Sequence, residues 1–181
     1  MQGLAKIIQN FFAHLSVLCV FAVNNFNPRF TMQNFSMPIQ IRWADIDANR
    51  HLRHSVYYDY AAAMRMNVLS EGGLTTKKLE EFTMGPILFR EEAIFKREVL
   101  LEDKLTLTVE LVKTTADFGR WSLRHQFLKA DGTLAAILNV DGAWIDLNKR
   151  KLTAPNEFIR HIFESFPKSQ DFQIVTPQPK V

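Results

Sequence analysis

Hydrophobic positions along this chain fall into two distinct periods. Beginning at Pro38, Ile39, Ile41 and Trp43 alternate with Gln40 and Arg42, which predicts a short half-buried strand. A polar stretch, Asp45 to Ser55, follows. Val56, Tyr60, Ala63, Met64 and Val68 then recur at helical spacing, predicting a helix over Val56–Leu69. Ala61, Ala62 and Ala63 favour helix and allow close approach of other backbone. Few of its positions are charged, so the helix is expected to be buried on most sides. Gly72-Gly73 ends it, and Thr75 to Phe82 reads as a short surface helix. From there the period changes to two. Four long strand patterns run from Ile87 to Val99, through Leu105, Leu107, Val109 and Leu111, through Trp121, Leu123 and Phe127, and from Leu134 to about Leu147. Ala116-Asp-Phe-Gly119 and Ala130-Asp-Gly132 are turn signals that make the last three a meander. Asn156 to Phe166 reads as a terminal amphipathic helix. Residues 168–181, with Pro177 and Pro179, read as a loose tail.

The order is therefore strand, buried helix, four long antiparallel strands. Long strands twist and curl, and a mostly apolar helix needs apolar cover. A curled antiparallel sheet wrapped round one central helix satisfies both demands. The expected class is α+β with a hotdog fold.

Residues 1–37 read as a leader outside the fold, and 38–167 as the domain. The apolar run Leu15 to Val23 is shorter than the roughly 20 residues that cross a bilayer. A dispensable or mis-assigned leader, a signal peptide with Val20-Phe21-Ala22 as cleavage site, and a membrane-surface helix all stay open. Charge narrows the partners. Residues 1–31 hold Lys6 and Arg29 and no acid, so they supply two of the three net positive charges. The remainder carries 20 Lys and Arg against 19 Asp and Glu, interleaved, without the concentrated footprint of a nucleic-acid binder. Cys19 is the one cysteine, which excludes an intrachain disulfide and a Cys-based zinc site and suits a reducing, cytoplasmic setting.

The chemistry is concentrated in Arg42-Trp-Ala-Asp-Ile-Asp-Ala-Asn-Arg-His-Leu-Arg-His-Ser-Val-Tyr-Tyr-Asp-Tyr60, with Arg65 beyond. Asp45, Asp47, His51, Tyr57, Tyr60 and Arg65 match a pattern of Arg, Asp-x-Asp, a Gly-His turn, two spaced tyrosines and a basic residue. In this the chain resembles the 4-hydroxybenzoyl-CoA thioesterase family of hotdog proteins over roughly residues 38–150. The resemblance implies that Asp47, the second Asp of Asp-x-Asp, is nucleophile or general base. The residues themselves support that. Thioester hydrolysis needs a carboxylate near an acyl carbon and donors for an oxyanion, and Asp47 precedes a helix start whose free N–H groups and dipole favour negative charge. Two positions depart from the pattern. The family's usual Gly is Arg50, which could reshape the turn or contact a phosphate, and its Asn-Asn pair is Arg53-His54, where His54 fits the family's Tyr-His variant.

Other readings stand beside these. An Asp ahead of a helix is commonly a turn or cap residue. Asp45 reads as structural, paired with a nearby base. His54 is a candidate donor at the helix start, and His51 either packs the loop or donates to substrate. Tyr57 and Tyr60 read as core, with Tyr57 also placed to line an acyl pocket. Glu91 falls in phase with apolar neighbours, which implies either a charge masked at a subunit interface or a bulge. His125 reads as a satisfied core histidine. No histidine–carboxylate spacing suggests a metal, no Gly-rich phosphate loop or Gly-x-Ser-x-Gly elbow is present, and no cofactor is expected. The expected function is hydrolysis of acyl-CoA or acyl-carrier-protein thioesters, with catalytic Asp47 and His54 and substrate contacts from His51, Tyr57 and Arg50. The alternative is a hotdog protein that binds an acyl thioester or lipid without cleaving it. A hotdog dehydratase would need a His-containing motif not found here. The resemblance also implies a homodimer or tetramer with continuous sheets and a site completed by the second chain. Neither nucleic-acid binding nor stable membrane insertion is expected.

Overall fold

The computed structural model describes residues 35–176. Expectations for residues 1–34, Cys19 and the apolar run among them, and for Pro177 and Pro179 lie outside the described residues. Seven strands form one sheet: β1 (Ser36–Ile39), β2 (Met84–Phe95), β3 (Leu105–Thr115), β4 (Arg120–Lys129), β5 (Leu134–Asp146), β6 (Lys151–Leu152) and β7 (Lys168–Val175). The main path is β1-β3-β4-β5-β2, antiparallel throughout, with β6 added to β5 and β7 to β3. Among the described residues three α-helices complete it: α1 (His54–Glu71), α2 (Thr76–Glu81) and α3 (Glu157–Glu164).

The alternating residues of the meander decide which face is covered. Leu107, Val109, Leu111, Trp121, Leu123, His125, Phe127, Leu138 and Val140 are buried, while Ser122, Arg124 and Gln126 between them are half-buried. The buried set lines the inside of the curl, and Val56, Tyr57, Ala61, Met64, Val68 and Leu69 of α1 pack into the same core. Sheet and central helix thus form the hotdog arrangement that the periods imply. Burial of α1 is narrower than its composition suggests. Asp59, Ala62, Ala63, Met66 and Asn67 are exposed, because the sheet covers one side of the helix only.

Three boundaries differ from expectation. The sheet begins at Ser36, two residues inside the expected leader, with Phe35 accepting a hydrogen bond from the Val109 N–H at 3.0 Å. Ile41 and Trp43 leave the strand; Trp43–Asp45 form a single 3-10 turn, closed by Asp45 N–H to the Arg42 carbonyl at 2.9 Å. Residues 168–175 of the expected loose tail are the strand β7, parallel to the second half of β3. β1 covers Leu105–Thr108 and β7 covers Leu111–Thr115, so the two lie end to end along one β3 edge.

Candidate active site

Two carboxylates two residues apart receive different surroundings. Asp45 is 1% exposed. Arg42 grips it with Nη2 to Oδ1 at 2.7 Å, Nε to Oδ2 at 3.1 Å and its own backbone N–H to Oδ2 at 2.9 Å. Tyr60 Oη donates to Oδ2 at 2.6 Å and stands 3.0 Å from the Gln40 carbonyl. These donors, Arg42 first, hold the Asp45 carboxyl well below the usual carboxylate range. Burial and the adjacent Asp45 in turn push the Tyr60 phenol up to about 12. Asp45 is therefore a fixed anion that locks α1 to the 3-10 turn, and Tyr60 packs its half-buried ring against the core, as expected, while its hydroxyl joins the lock.

Asp47 lies in the following loop and is half-buried. Its backbone N–H donates to the His51 carbonyl at 2.9 Å, its carbonyl accepts from the Arg50 N–H at 3.0 Å, and Ile46 and Leu52 bridge behind it. Carboxylate Oδ1 accepts the N–H groups of Asn49 at 2.8 Å and His51 at 3.1 Å. The second oxygen has no protein donor among the described residues. One oxygen thus performs the turn role that a bland reading assigns to such an Asp, and this fixes the direction of the other.

The loop leads into α1. Arg53 at its N-cap supplies no side-chain cap. The Arg53 N–H donates to the Asp45 carbonyl and the Val56 N–H to Arg53, while the N–H groups of His54 and Ser55 have no protein acceptor among the described residues. An uncapped helix start presents free donors and a positive partial charge. Asp47, His51, His54 and Tyr57 line one cleft of about 350 Å³ with Phe95 to Val99 at the end of β2. His51 Nε2 lies 3.4 Å from Glu98 Oε2 across it. Tyr57 is buried, edge-on to Phe95 and Phe127 at 5.1 and 4.9 Å, and burial raises its phenol to about 12. The structure therefore brings together four of the five sequence-chosen residues. Arg50 is the exception: it is exposed, outside the cleft wall, and holds φ at +66°. Sequence reasoning missed Phe95 and Glu98, whose place depends on β2 ending beside the Asp47 loop.

A second polar group lies deeper. Arg65, on α1, pairs through Nη2 with Glu91 Oε1 at 2.8 Å, and its Nη1 lies 3.4 Å from His125 Nε2. Glu91 faces inward because β2 carries a bulge between Leu88 and Arg90, which shifts the phase by one residue. The bulge alternative for Glu91 holds. His125 is fully buried but half-satisfied, since its Nδ1 has no partner. Among the described residues no group of three or more His, Cys, Asp or Glu side chains could hold a metal ion, and no helix is long and apolar enough to cross a membrane.

Comparison with known proteins adds a family. Residues 41–163 match the model of the thioesterase-like superfamily. No curated protein sequence matches the chain. Among solved structures, a Staphylococcus aureus protein in complex with CoA superposes with a TM-score of 0.66 at 23% identity, over 79% of this chain and 95% of that one. A 1,4-dihydroxy-2-naphthoyl-CoA thioesterase from Synechocystis gives 0.64 at 17% identity, over 71% and 94%. A DHNA-CoA thioesterase from Staphylococcus aureus gives 0.62 at 15%, over 72% and 86%. At these identities the likeness shows the fold.

Proposed function

Because the chain belongs to the thioesterase-like superfamily and is a thioester hydrolase by that membership, we propose that it hydrolyses acyl-CoA to free acid and CoA, with Asp47 as nucleophile or general base. Within the superfamily we place it with the 4-hydroxybenzoyl-CoA thioesterases, on the Asp-x-Asp to tyrosine spacing, and in the cytoplasm, on its single cysteine. One observation carries the mechanism: Asp47 and the uncapped start of α1 line the same cleft. With the thioester carbonyl oxygen at the His54 and Ser55 N–H groups, charge moving onto that oxygen meets donors already in place. Asp47 either adds to the carbonyl carbon, giving an anhydride that water then opens, or takes a proton from the attacking water. In both routes the C–S bond breaks and CoA leaves as a thiolate that takes up a proton. His54 is proposed as a further donor at the helix start, and His51 and Tyr57 as contacts to the thioester arm. Arg50 is proposed as a contact to a CoA phosphate.

Replacing Asp47 by Asn keeps both turn hydrogen bonds available while removing the charge. Turnover over a panel of acyl-CoAs, followed with a thiol reagent, should fall at least ~10²-fold with an unchanged circular dichroism spectrum. Near-native turnover would remove Asp47 from the mechanism. A wild-type protein that binds acyl-CoA and turns none over would instead support the binding-protein alternative.

We further propose a homodimer through β2. This strand is one end of the main sheet path. It exposes Leu88, Phe89, Ile94 and Phe95 at 45, 52, 43 and 51%. A free apolar edge is a pairing surface.

A further inference from the structure

The cleft at Asp47 holds a second carboxylate with no part in the chemistry so far. Glu98 lies just beyond the end of β2, and its Oε2 is 3.4 Å from His51 Nε2. The backbone sets this pair. The Leu52 N–H donates to the Val99 carbonyl at 2.7 Å, so His51 and Glu98 each precede one residue of that bond, and both side chains line the same cleft. His51 is also part of the Asp47 turn. Its carbonyl accepts the Asp47 N–H at 2.9 Å, and its own N–H donates to Asp47 Oδ1 at 3.1 Å. The Nδ1 atom of the His51 ring has no protein partner among the described residues. The imidazole is 40% exposed, so water reaches it.

We propose that Asp47 acts as the nucleophile, and that His51, held by Glu98 as a positioning residue, is the base that activates water in the second half-reaction. The inference rests on the acyl-CoA reading and chooses between its two routes. Once Asp47 has added to the thioester carbon and the C–S bond has broken, its carboxylate is one half of an anhydride and accepts no proton. A different group must activate the water. Tyr57 is not that group, because burial keeps its phenol protonated, with the pKa raised to about 12. His54 stands in the first turn of α1, where the helix dipole disfavours a proton on the ring, and it makes no ion pair among the described residues. His51 has its carboxylate. A carboxylate facing Nε2 favours the tautomer with its proton there, leaves the Nδ1 lone pair to accept, and stabilises the imidazolium that results. Deacylation then balances. The water oxygen adds to an anhydride carbonyl and one water proton passes to Nδ1. The anhydride C–O bond breaks, giving the Asp47 carboxylate and the product carboxylate as the second water proton is lost. One of the two protons ends on the CoA thiolate and the other in solvent.

The test separates the two half-reactions. An excess of acyl-CoA is mixed with the wild-type chain, with Glu98→Gln and with His51→Ala, and released thiol is followed from the first turnover. His51→Ala keeps the backbone N–H that holds Asp47 Oδ1. Glu98→Gln should lower kcat about 10-fold or more, the lower end for a carboxylate that orients a histidine, and His51→Ala about 10²-fold or more. Both variants should release a burst approaching one CoA per chain before the slow phase, because acylation by Asp47 is untouched. Adding Asp47→Asn to either variant should abolish the burst. Imidazole in solution should restore turnover to His51→Ala. A structural disturbance of the loop lowers turnover with neither burst nor rescue, and that result overturns the proposal. Wild-type kcat in Glu98→Gln overturns it as well. A wild-type chain that hydrolyses no acyl-CoA removes the hydrolase reading and this one with it, whereas wild-type hydrolysis with no burst in either variant removes this one alone.

Discussion

Arg50 shows what one backbone angle can impose. At φ +66° it occupies the left-handed region, which costs an L-residue roughly 1–2 kcal/mol and glycine little. The resemblance already marked this as the family's glycine position, so the turn geometry is kept and the residue that suits it is not. Arg50→Gly should raise stability by about 0.5–1 kcal/mol after the unfolded-state entropy of glycine is counted, seen as a higher urea midpoint at unchanged slope. If Arg50 also contacts a phosphate, KM for acyl-CoA rises in the same variant. A lower midpoint would show that the Arg side chain stabilises the loop in a way the turn does not reveal. His125 carries a different liability. Burial first, and the Arg65 charge second, lower its pKa from 6.5 to about 3. Between those values the unfolded chain binds a proton that the folded chain refuses, so stability falls as pH falls, by about 1 kcal/mol per unit from pH 6 to 4. Urea midpoints across that range should decline in the wild type and be flatter in His125→Leu. Equal slopes would show that other groups set the acid limit. The sequence placed His125 in the core correctly, but its missing Nδ1 partner depends on neighbours that no period encodes.

At the level of elements, legibility followed the strength of each period. The central helix and the four long strands were readable because each repeats an apolar side over ten or more residues. β7 was not. Its Phe172 is half-buried and its Ile174 is 66% exposed, so it has no strong alternation of its own and is a strand because half of the β3 edge is free to pair with it. Similarly, Glu91 could not be assigned a face until the bulge at Leu88–Arg90 was seen. Gly142 is a case of packing hidden in a turnless glycine. It lies opposite Trp121 in the β4–β5 register. A methyl group there would stand 2.4 and 2.5 Å from the Trp121 ring and 2.7 Å from the Ile87 carbonyl oxygen. The backbone contact cannot be relieved by a side-chain rotation. Gly142→Ala should therefore cost about 1–3 kcal/mol and displace Trp121, measured as a lower melting temperature together with altered tryptophan emission. An unperturbed variant would mean that β2 and β5 separate more easily than their ladder implies.

For the molecule as a whole, the active-site segment was legible because its residues are close in sequence, from Arg42 to Tyr60. The far wall of the cleft, from Phe95 to Val99, was not, because it joins through the fold. The β2 edge makes assembly a condition of function in the scheme proposed here. Light scattering at micromolar concentration should give at least twice the 20.9 kDa chain mass for the active species. Full activity in a species of one chain mass would refute a site shared between copies.

The end-to-end seating of β1 and β7 on β3 also sets an order of events during synthesis. β1, α1 and the β2–β5 sheet precede β7 in the chain, and domains begin to fold as they emerge from the ribosome. Until β7 has emerged, the β3 backbone from Leu111 to Thr115 lacks the partner it takes from that strand. During this interval the growing chain presents a second open sheet edge in addition to β2, available to any neighbouring nascent chain on the same messenger. Arrival of β7, rather than completion of the hydrophobic core, is the event that closes it.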